Sequence, residues 1–422
     1  MMRDNTRKGP HSMTTNATRR GILAAGAAFG ALPLSRARAQ AANTIKIGVL
    51  GDGSGMYRDL GGPGSTVCVR QAIQEFGAQG FNVEVLEADH QNRPDVGSTI
   101  ARQWIDREGV DMITDGTTSS VALALNQLVR EKNKVMLNSG AATSDLTAAA
   151  CTANTIHWTY DTWMLANSTG GAMVRAGGDS WFFITADYAF GHALERDTAN
   201  FVRNAGGRVL GQVRTPFPGT TDFSSFLLQA QASRAKVVGL ANAGSDTTNC
   251  IKQAAEFGLT RRGVKLAGLL VFLSDVHSLG LQTAQGLVLT ETFYWDLNDR
   301  SRAFTGRVRP RMPNQAPPTM VQAGCYSATL HYLKAVKDLG VAAAKDGAAT
   351  VARMKAMPTD DDAFGAGSVR ADGRKLHPAY LFEVKAPGES RGAYDYYKLL
   401  QTVPAEQAFR PLAEGNCSLA RG

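Results

Sequence analysis

The residues best suited to chemistry in this chain are small hydroxyls and glycines, and they come in two successive sets. Asp111-Met112-Ile113-Thr114 runs into Gly116-Thr117-Thr118-Ser119-Ser120 and then into the apolar-periodic stretch 121–129. Lys134-Val135-Met136-Leu137 runs into Asn138-Ser139-Gly140-Ala141-Ala142-Thr143-Ser144-Asp145. Each set is a short apolar strand entering a turn that opens a helix. Two adjacent parallel strands ending this way aim free N–H groups and hydroxyls at one spot beyond their carboxyl ends, where open α/β sheets bind ligands. The chemistry is anion binding, most simply of a carboxylate. Taken singly, Ser119, Thr143 and Asp145 read as helix N-caps. Their recurrence in neighbouring turns tilts the balance toward a site.

No catalytic constellation accompanies them. Gly51-Asp52-Gly53-Ser54-Gly55 follows a strand, but Met56 stands where a dinucleotide loop needs its last glycine. Asp52 and Met56 likewise flank Ser54 where a nucleophile elbow needs glycines. His90, His157, His192, His277, His331 and His377 show no metal-ligand spacing, and no Cys-x-x-Cys occurs. These histidines read as surface or packing residues, except His277, which falls in an expected cleft loop. The expectation is a chain without catalysis, metal or cofactor.

The elements that position the turns alternate strictly. Strand 45–50 precedes helix 65–76, whose apolar positions are Val67, Val69, Ala72, Ile73 and Phe76. Strand 81–86 precedes helix 96–107, introduced by Pro94 and Asp95. After the two hydroxyl-rich turns, 155–159 reads as an extended crossing into a second lobe. There the pattern starts afresh, with helix 162–175, strand 180–184, helix 193–204, strand 208–213, helix 223–232, strand 236–240, helix 247–257 and strand 264–269. Residues 286–294 return the chain to the first lobe and its long helix, 319–339. A third crossing at 365–381 ends in strands near 380–385 and 394–400. The predicted fold is α/β, two doubly wound lobes with parallel sheets. Lobe 1 takes residues 43–157 and 290–370, lobe 2 takes 158–289 and 371–400, and 401–422 is a C-terminal extension near the hinge.

Residues 1–39 read as an export signal. Arg19-Arg20 precedes an apolar run, 24–34, too short to span a bilayer, and Ala37-Arg38-Ala39 has the form of a cleavage site. Met13 serves as well as Met1 for the start. The 45 basic and 37 acidic side chains become 38 and 36 once this leader, with seven Lys and Arg and the single acid Asp4, is removed. That near balance gives nucleic-acid binding no support. The expected product is exported through a twin-arginine signal to the periplasm.

The chain resembles the bacterial periplasmic receptors for branched-chain amino acids and related solutes, the leucine-binding-protein-like components of ABC importers. The motifs are Ile47-Gly48-Val49-Leu50 with Ser54-Gly55-Met56-Tyr57, Ser119-Ser120, Gly140-Ala141-Ala142-Thr143 with Leu146-Thr147, Asp187-Tyr188-Ala189-Phe190-Gly191, and Ala284-Gln285-Gly286-Leu287. The resemblance implies a type I periplasmic binding protein with three crossing segments, a ligand in the cleft and closure by hinge motion. It places a carboxylate clamp on Ser119 or Ser120, the backbone of Gly140 and Ala141, and the pair Ala142 and Thr143. From the second lobe it brings Tyr188 or Phe190, the Asn242-Ala243-Gly244 turn with Asp246, and Asp275, an acid that would meet an ammonium group. Tyr57, Trp158 and Tyr294 or Trp295 would form the aromatic wall, with core packing as the alternative for Trp158 and Trp295. His277 joins these as a polar neighbour of a flat ligand. The implied ligand is a small carboxylic acid, either an amino acid or an aromatic acid, and the implied partner is a membrane permease, with the receptor a monomer. Other readings are a ligand-sensing module for a signalling partner and an exported hydrolase.

Five cysteines in an oxidising compartment leave at least one unpaired. Cys68, Cys250 and Cys325 sit in helical patterns and read as small buried residues. Cys151 and Cys417 lie in loop-like stretches at the first crossing and at the chain's end, and the expectation is a disulfide between them.

Overall fold

The computed structural model describes residues 43–420, so the expected export signal lies outside the described residues. Five parallel strands form the first sheet in the order β2-β1-β3-β4-β5. They are β1 (Thr44–Gly51), β2 (Asn82–Asp89), β3 (Met112–Asp115), β4 (Val135–Asn138) and β5 (Thr155–His157). The inner strands are buried almost throughout because helices cover both faces. Side-chain alternation sends Ile47, Val49, Met112, Val135 and Leu137 to one face, against α1 (Gly62–Phe76) and the long helix 320–339. Leu50, Ile113 and Met136 go to the other face, against α2 (Pro94–Gln103) and α3 (Ser119–Glu131).

Four parallel strands form the second sheet, in the order β7-β6-β8-β9. They are β6 (Ser180–Ala186), β7 (Arg208–Thr215), β8 (Val237–Ala241) and β9 (Lys265–Gly268). Trp181 and Phe183 face α4 (Ala189–Asn204), while Phe182 and Ile184 face α5 (Ser224–Ala232) and α6 (Ser245–Glu256). In both sheets the order reverses beside a central strand, β1 or β6. These are the switch points at which doubly wound sheets bind ligands.

The connecting segments are pinned by buried polar groups. The crossing after β5 lies beside the buried Arg374, whose guanidinium donates to Asp161 at 3.3 Å and to the carbonyls of Thr159 and Lys375. Removing one partner of such a pair costs about 3–5 kcal/mol, because a buried charge is left uncompensated. An antiparallel sheet, β10-β13-β14, follows from β10 (Val288–Glu291), β13 (Ala379–Val384) and β14 (Tyr397–Val403), with a small hairpin of β11 (Ser368–Val369) and β12 (Lys375–Leu376) between them. Cys151 and Cys417 are joined by a disulfide with Cα atoms 5.7 Å apart, and Cys68, Cys250 and Cys325 are free and buried.

Several expectations change. The turn after β4 opens only the 3-10 turn Ser144–Thr147, not a helix. Helix α4 starts at Ala189, four residues before the expected 193, which makes Tyr188 its N-cap. Residues Leu273–Leu279, expected as a cleft loop, form a short helix, α7. Helices Asp299–Val308 and Gly347–Ala356 were not anticipated, and β14 continues past 400 to Val403.

Candidate ligand-binding site

A small pocket lies where the carboxyl-end loops of the two sheets face one another. The first lobe supplies Tyr57 and Leu60 after β1, Thr117, Thr118 and Ser119 after β3, and Gly140, Ala141 and Ala142 after β4. Tyr160 follows the first crossing, and the second lobe supplies Tyr188, Phe190, Ala243 and Leu270. Three helices begin here. No side chain caps α3 (N-cap Thr118), α4 (N-cap Tyr188) or α6 (N-cap Gly244). First-turn N–H groups have no partner inside their own helix, so three positive dipole ends converge on one small space. That arrangement suits an anion.

The first-lobe wall is built tightly. Ser119 Oγ accepts the Thr143 N–H at 3.1 Å and keeps its own proton to donate. Thr117 donates to Asp115, and Thr118 donates to Asn92. Burial pushes the Asp115 carboxyl up to about 6, against the hydrogen bonds from the Thr117 hydroxyl and N–H. A Cβ on Gly140 would stand 2.5 Å from Thr117 Oγ1 and 2.7 Å from Asp115 Oδ1. Only glycine lets the two turns lie this close. Tyr160 donates to the Gly140 carbonyl at 2.7 Å and closes one end. The capping box of the long helix Met320–Leu339 holds another flank, since Thr319 Oγ1 donates to the Leu60 carbonyl at 2.5 Å.

The lobes meet across the pocket. The Tyr57 and Tyr188 hydroxyls are 2.8 Å apart, and Tyr188 stacks on Phe217 at 3.7 Å. Gly244 has φ +59°, and a Cβ there would meet the Met56 carbonyl at 2.8 Å. Asp246, in the first turn of α6, is 1% exposed and its Oδ2 meets no hydrogen-bond partner among the described residues. Burial raises it to about 7. Burial also raises the Tyr57 and Tyr188 phenols, and the nearby Asp246 charge adds to both. Asp246 thus stands behind the tyrosine pair, without itself lining the pocket.

Of the residues expected from sequence, the structure brings Tyr57, Ser119, Gly140, Ala141, Ala142, Tyr188 and Ala243 together around the pocket. Ser120 is half-buried one step along α3, and Thr143 spends its hydroxyl capping Asp145 N at 3.3 Å. Trp158 is core, fully buried, with Nε1 donating to Ser327 Oγ at 2.8 Å. Asp275, expected to meet an ammonium, instead accepts the Phe272 N–H at 2.9 Å and caps α7. His277 stacks on Tyr394 at 4.4 Å and lines a separate groove with Arg58 and Asp59. Tyr294 is buried in the second-lobe core, its hydroxyl donating to the Tyr394 carbonyl. Sequence reasoning missed Leu60, Thr117, Thr118, Tyr160 and Leu270 as lining residues. Thr117 and Thr118 sat in the quoted turn, while Tyr160 and Leu270 carry no local signal. No cluster of metal-ligating side chains occurs among the described residues.

Comparison with known proteins gives the same architecture. The family model described as periplasmic binding protein matches residues 44–392. A periplasmic binding protein from Burkholderia mallei is 47% identical with a TM-score of 0.86, the match covering 90% of this chain and 99% of that one. A branched chain amino acid ABC transporter periplasmic ligand-binding protein from Burkholderia xenovorans is 38% identical with a TM-score of 0.79, covering 89% and 100%. At the level of fold alone, a solute-binding protein of an ABC transporter from Rhodopseudomonas palustris in complex with 4-hydroxybenzoate aligns at 22% identity and a TM-score of 0.77, covering 86% and 97%. With its two α/β lobes and a pocket at their switch points, the chain belongs to the periplasmic binding protein family.

Proposed function

We propose that this protein is a periplasmic receptor that captures a small carboxylic acid between its lobes and delivers it to an ABC importer, without catalysis. The convergence of three uncapped helix starts on the pocket carries this reading. The carboxylate sits against the Ser119 hydroxyl and the first-turn N–H groups of α3. Asp246 then selects the ligand. A buried carboxylate lacking a partner costs several kcal/mol, and the ammonium of an amino acid that parts Tyr57 from Tyr188 and reaches the carboxyl behind them removes that cost. An aromatic acid is the second reading, favoured by the enclosure formed by Tyr57, Tyr160, Tyr188 and Phe190. In that case Asp246 is protonated and donates toward the ring's substituent.

The proposed lobes are those expected from sequence, 43–157 with 290–370 and 158–289 with 371–400. Export proceeds through Arg19-Arg20, so changing both to lysine leaves unprocessed protein in the cytoplasm. Continued periplasmic accumulation of mature protein would remove the twin-arginine reading. Native mass spectrometry of the protein as purified tests the receptor reading. A co-purified small acid is expected, and a retained solute without a carboxylate or its isostere would contradict the clamp.

A further inference from the structure

A buried hydrogen-bond chain joins two pocket walls that are far apart in sequence. Asp52, fully buried at the end of β1, accepts the Gly55 N–H at 2.6 Å on Oδ1. Its Oδ2 accepts the Tyr57 N–H at 2.8 Å and Asn92 Nδ2 at 2.5 Å. Asn92 Oδ1 in turn accepts the Thr118 hydroxyl. Its own N–H donates to His90 Nδ1 at 3.1 Å, which fixes the turn after β2. Tyr57 and Thr118 line the pocket, whereas Asp52 and Asn92 do not.

The backbone along this chain is specialised. Thr118 has φ +89°, a region that a β-branched residue enters only when its surroundings force it. Asn92 has φ +58°, which asparagine tolerates better than most residues. A Cβ on Gly55 would fall 2.7 Å from both Asp52 carboxyl oxygens and from Asn92 Nδ2, so the loop can wrap the carboxylate only as glycine. Thr118 is also the N-cap of α3, whose first turn carries Ser119. Asp89 is a neighbouring control. It accepts Gly53 N at 3.0 Å, Ser54 Oγ at 2.5 Å and Gln91 N at 2.7 Å, but bonds to no pocket residue.

We propose that Asp52 and Asn92 are positioning residues that hold the Tyr57 wall and the Ser119 clamp in one fixed relation, so that the aromatic side and the anion side of the pocket move as a unit. The affinity part of this proposal rests on the receptor reading above. The geometric part does not.

The test uses the full mature chain, measuring amide hydrogen exchange together with a double-mutant cycle on affinity. Asn92→Ala and Thr118→Val should each speed exchange at least tenfold in both 53–60 and 117–121, with little change elsewhere in the lobe. Thr118→Ser, which keeps the hydroxyl, should restore the wild-type pattern. Asp89→Ala should loosen only 53–55. With phenylalanine and 4-hydroxybenzoate as probes, combining Asn92→Ala with Tyr57→Phe should cost at least fivefold less than the product of the single effects. Exchange changes confined to each variant's own turn, or spread evenly through the lobe as global destabilisation would spread them, would overturn the proposal, as would an additive cycle. If Asn92→Ala does not fold, Thr118→Val and Thr118→Ser decide it. If the wild type binds neither probe, the exchange pattern alone decides the proposal, and the receptor reading is what has failed for those ligands.

Discussion

Thr117, Thr118 and Ser119 on the first-lobe wall each make a side-chain hydrogen bond inside their own lobe, whereas Asp246 behind the second-lobe wall is buried with an unpartnered oxygen. The hydroxyls of the first wall are held in place before a ligand arrives, and what stays open there is donors, the Ser119 proton and the first-turn N–H groups of α3. As the proposed anion seat, this wall would need little reorganisation on binding. The second wall is unfinished, and what completes it decides which acids bind well. On the proposed reading, affinity for a carboxylate belongs to the first lobe and discrimination among carboxylates to the second.

The largest expected effect breaks the first wall. Gly140→Ala drives a methyl into Thr117 and Asp115, and overpacking of this kind costs about 1–3 kcal/mol. Because the strain falls on the seat itself, affinity for every acid should drop together, by up to ~100-fold, as titration calorimetry would show. A drop for one ligand class only would merge the two walls' roles.

Asp246→Asn breaks the second wall instead. Losing a hydrogen bond to a charged group costs about 1.5–3 kcal/mol, or ~10–100-fold for an ammonium-bearing ligand. Acids without an amine should bind unchanged or better. The empty variant should melt higher than wild type at pH 8, since the native Asp246 carboxyl, raised from 3.8 to about 7, is ionised there without a partner. Between those two values the native state holds a proton that the unfolded chain has released, so this contribution to stability is lost as pH rises through about 7.

The same group sets a pH test. If the ligand is an amino acid, Asp246 must ionise to bind it, and affinity should rise about tenfold per pH unit up to about pH 7 and then level off. For an aromatic acid that needs the protonated carboxyl, affinity should be level below pH 7 and fall above it. Flat profiles for both classes would take Asp246 out of the site.

Ser119→Ala is smaller, about 1 kcal/mol or ~5-fold for all acids, since the helix N–H groups remain. Trp158→Phe should lower the melting temperature through the lost bond to Ser327, by about 1 kcal/mol of stability, and leave affinity unchanged. A change in affinity there would return Trp158 to the ligand wall.

The regular alternation of strands and helices was legible because buried parallel strands are apolar runs and their covering helices keep a 3.6-residue period. That the two hydroxyl-rich turns meet at one pocket was legible for the same reason, since they directly follow two such strands. Asp275 and Asp246 show where that reading stops. Both are acids in the first turn of a helix, a position that serves equally for capping and for ligand contact, and only the packing shows that Asp275 caps Phe272 while Asp246 is left open. Aromatic residues were ambiguous in the same way. Trp158 follows the crossing strand and Tyr160 lies two residues on. The tertiary fold sends the first into the core and the second to the pocket.

Whether a carboxylate is held at the converging helix starts is decided by melting the purified protein with acids and their decarboxylated counterparts. At ~100 times Kd a bound ligand adds about 2.7 kcal/mol of stability. Leucine or phenylalanine, or else benzoate or cinnamate, should raise the melting temperature, while isopentylamine and phenethylamine should leave it unmoved. Stabilisation by the amines and by none of the acids would contradict the claim.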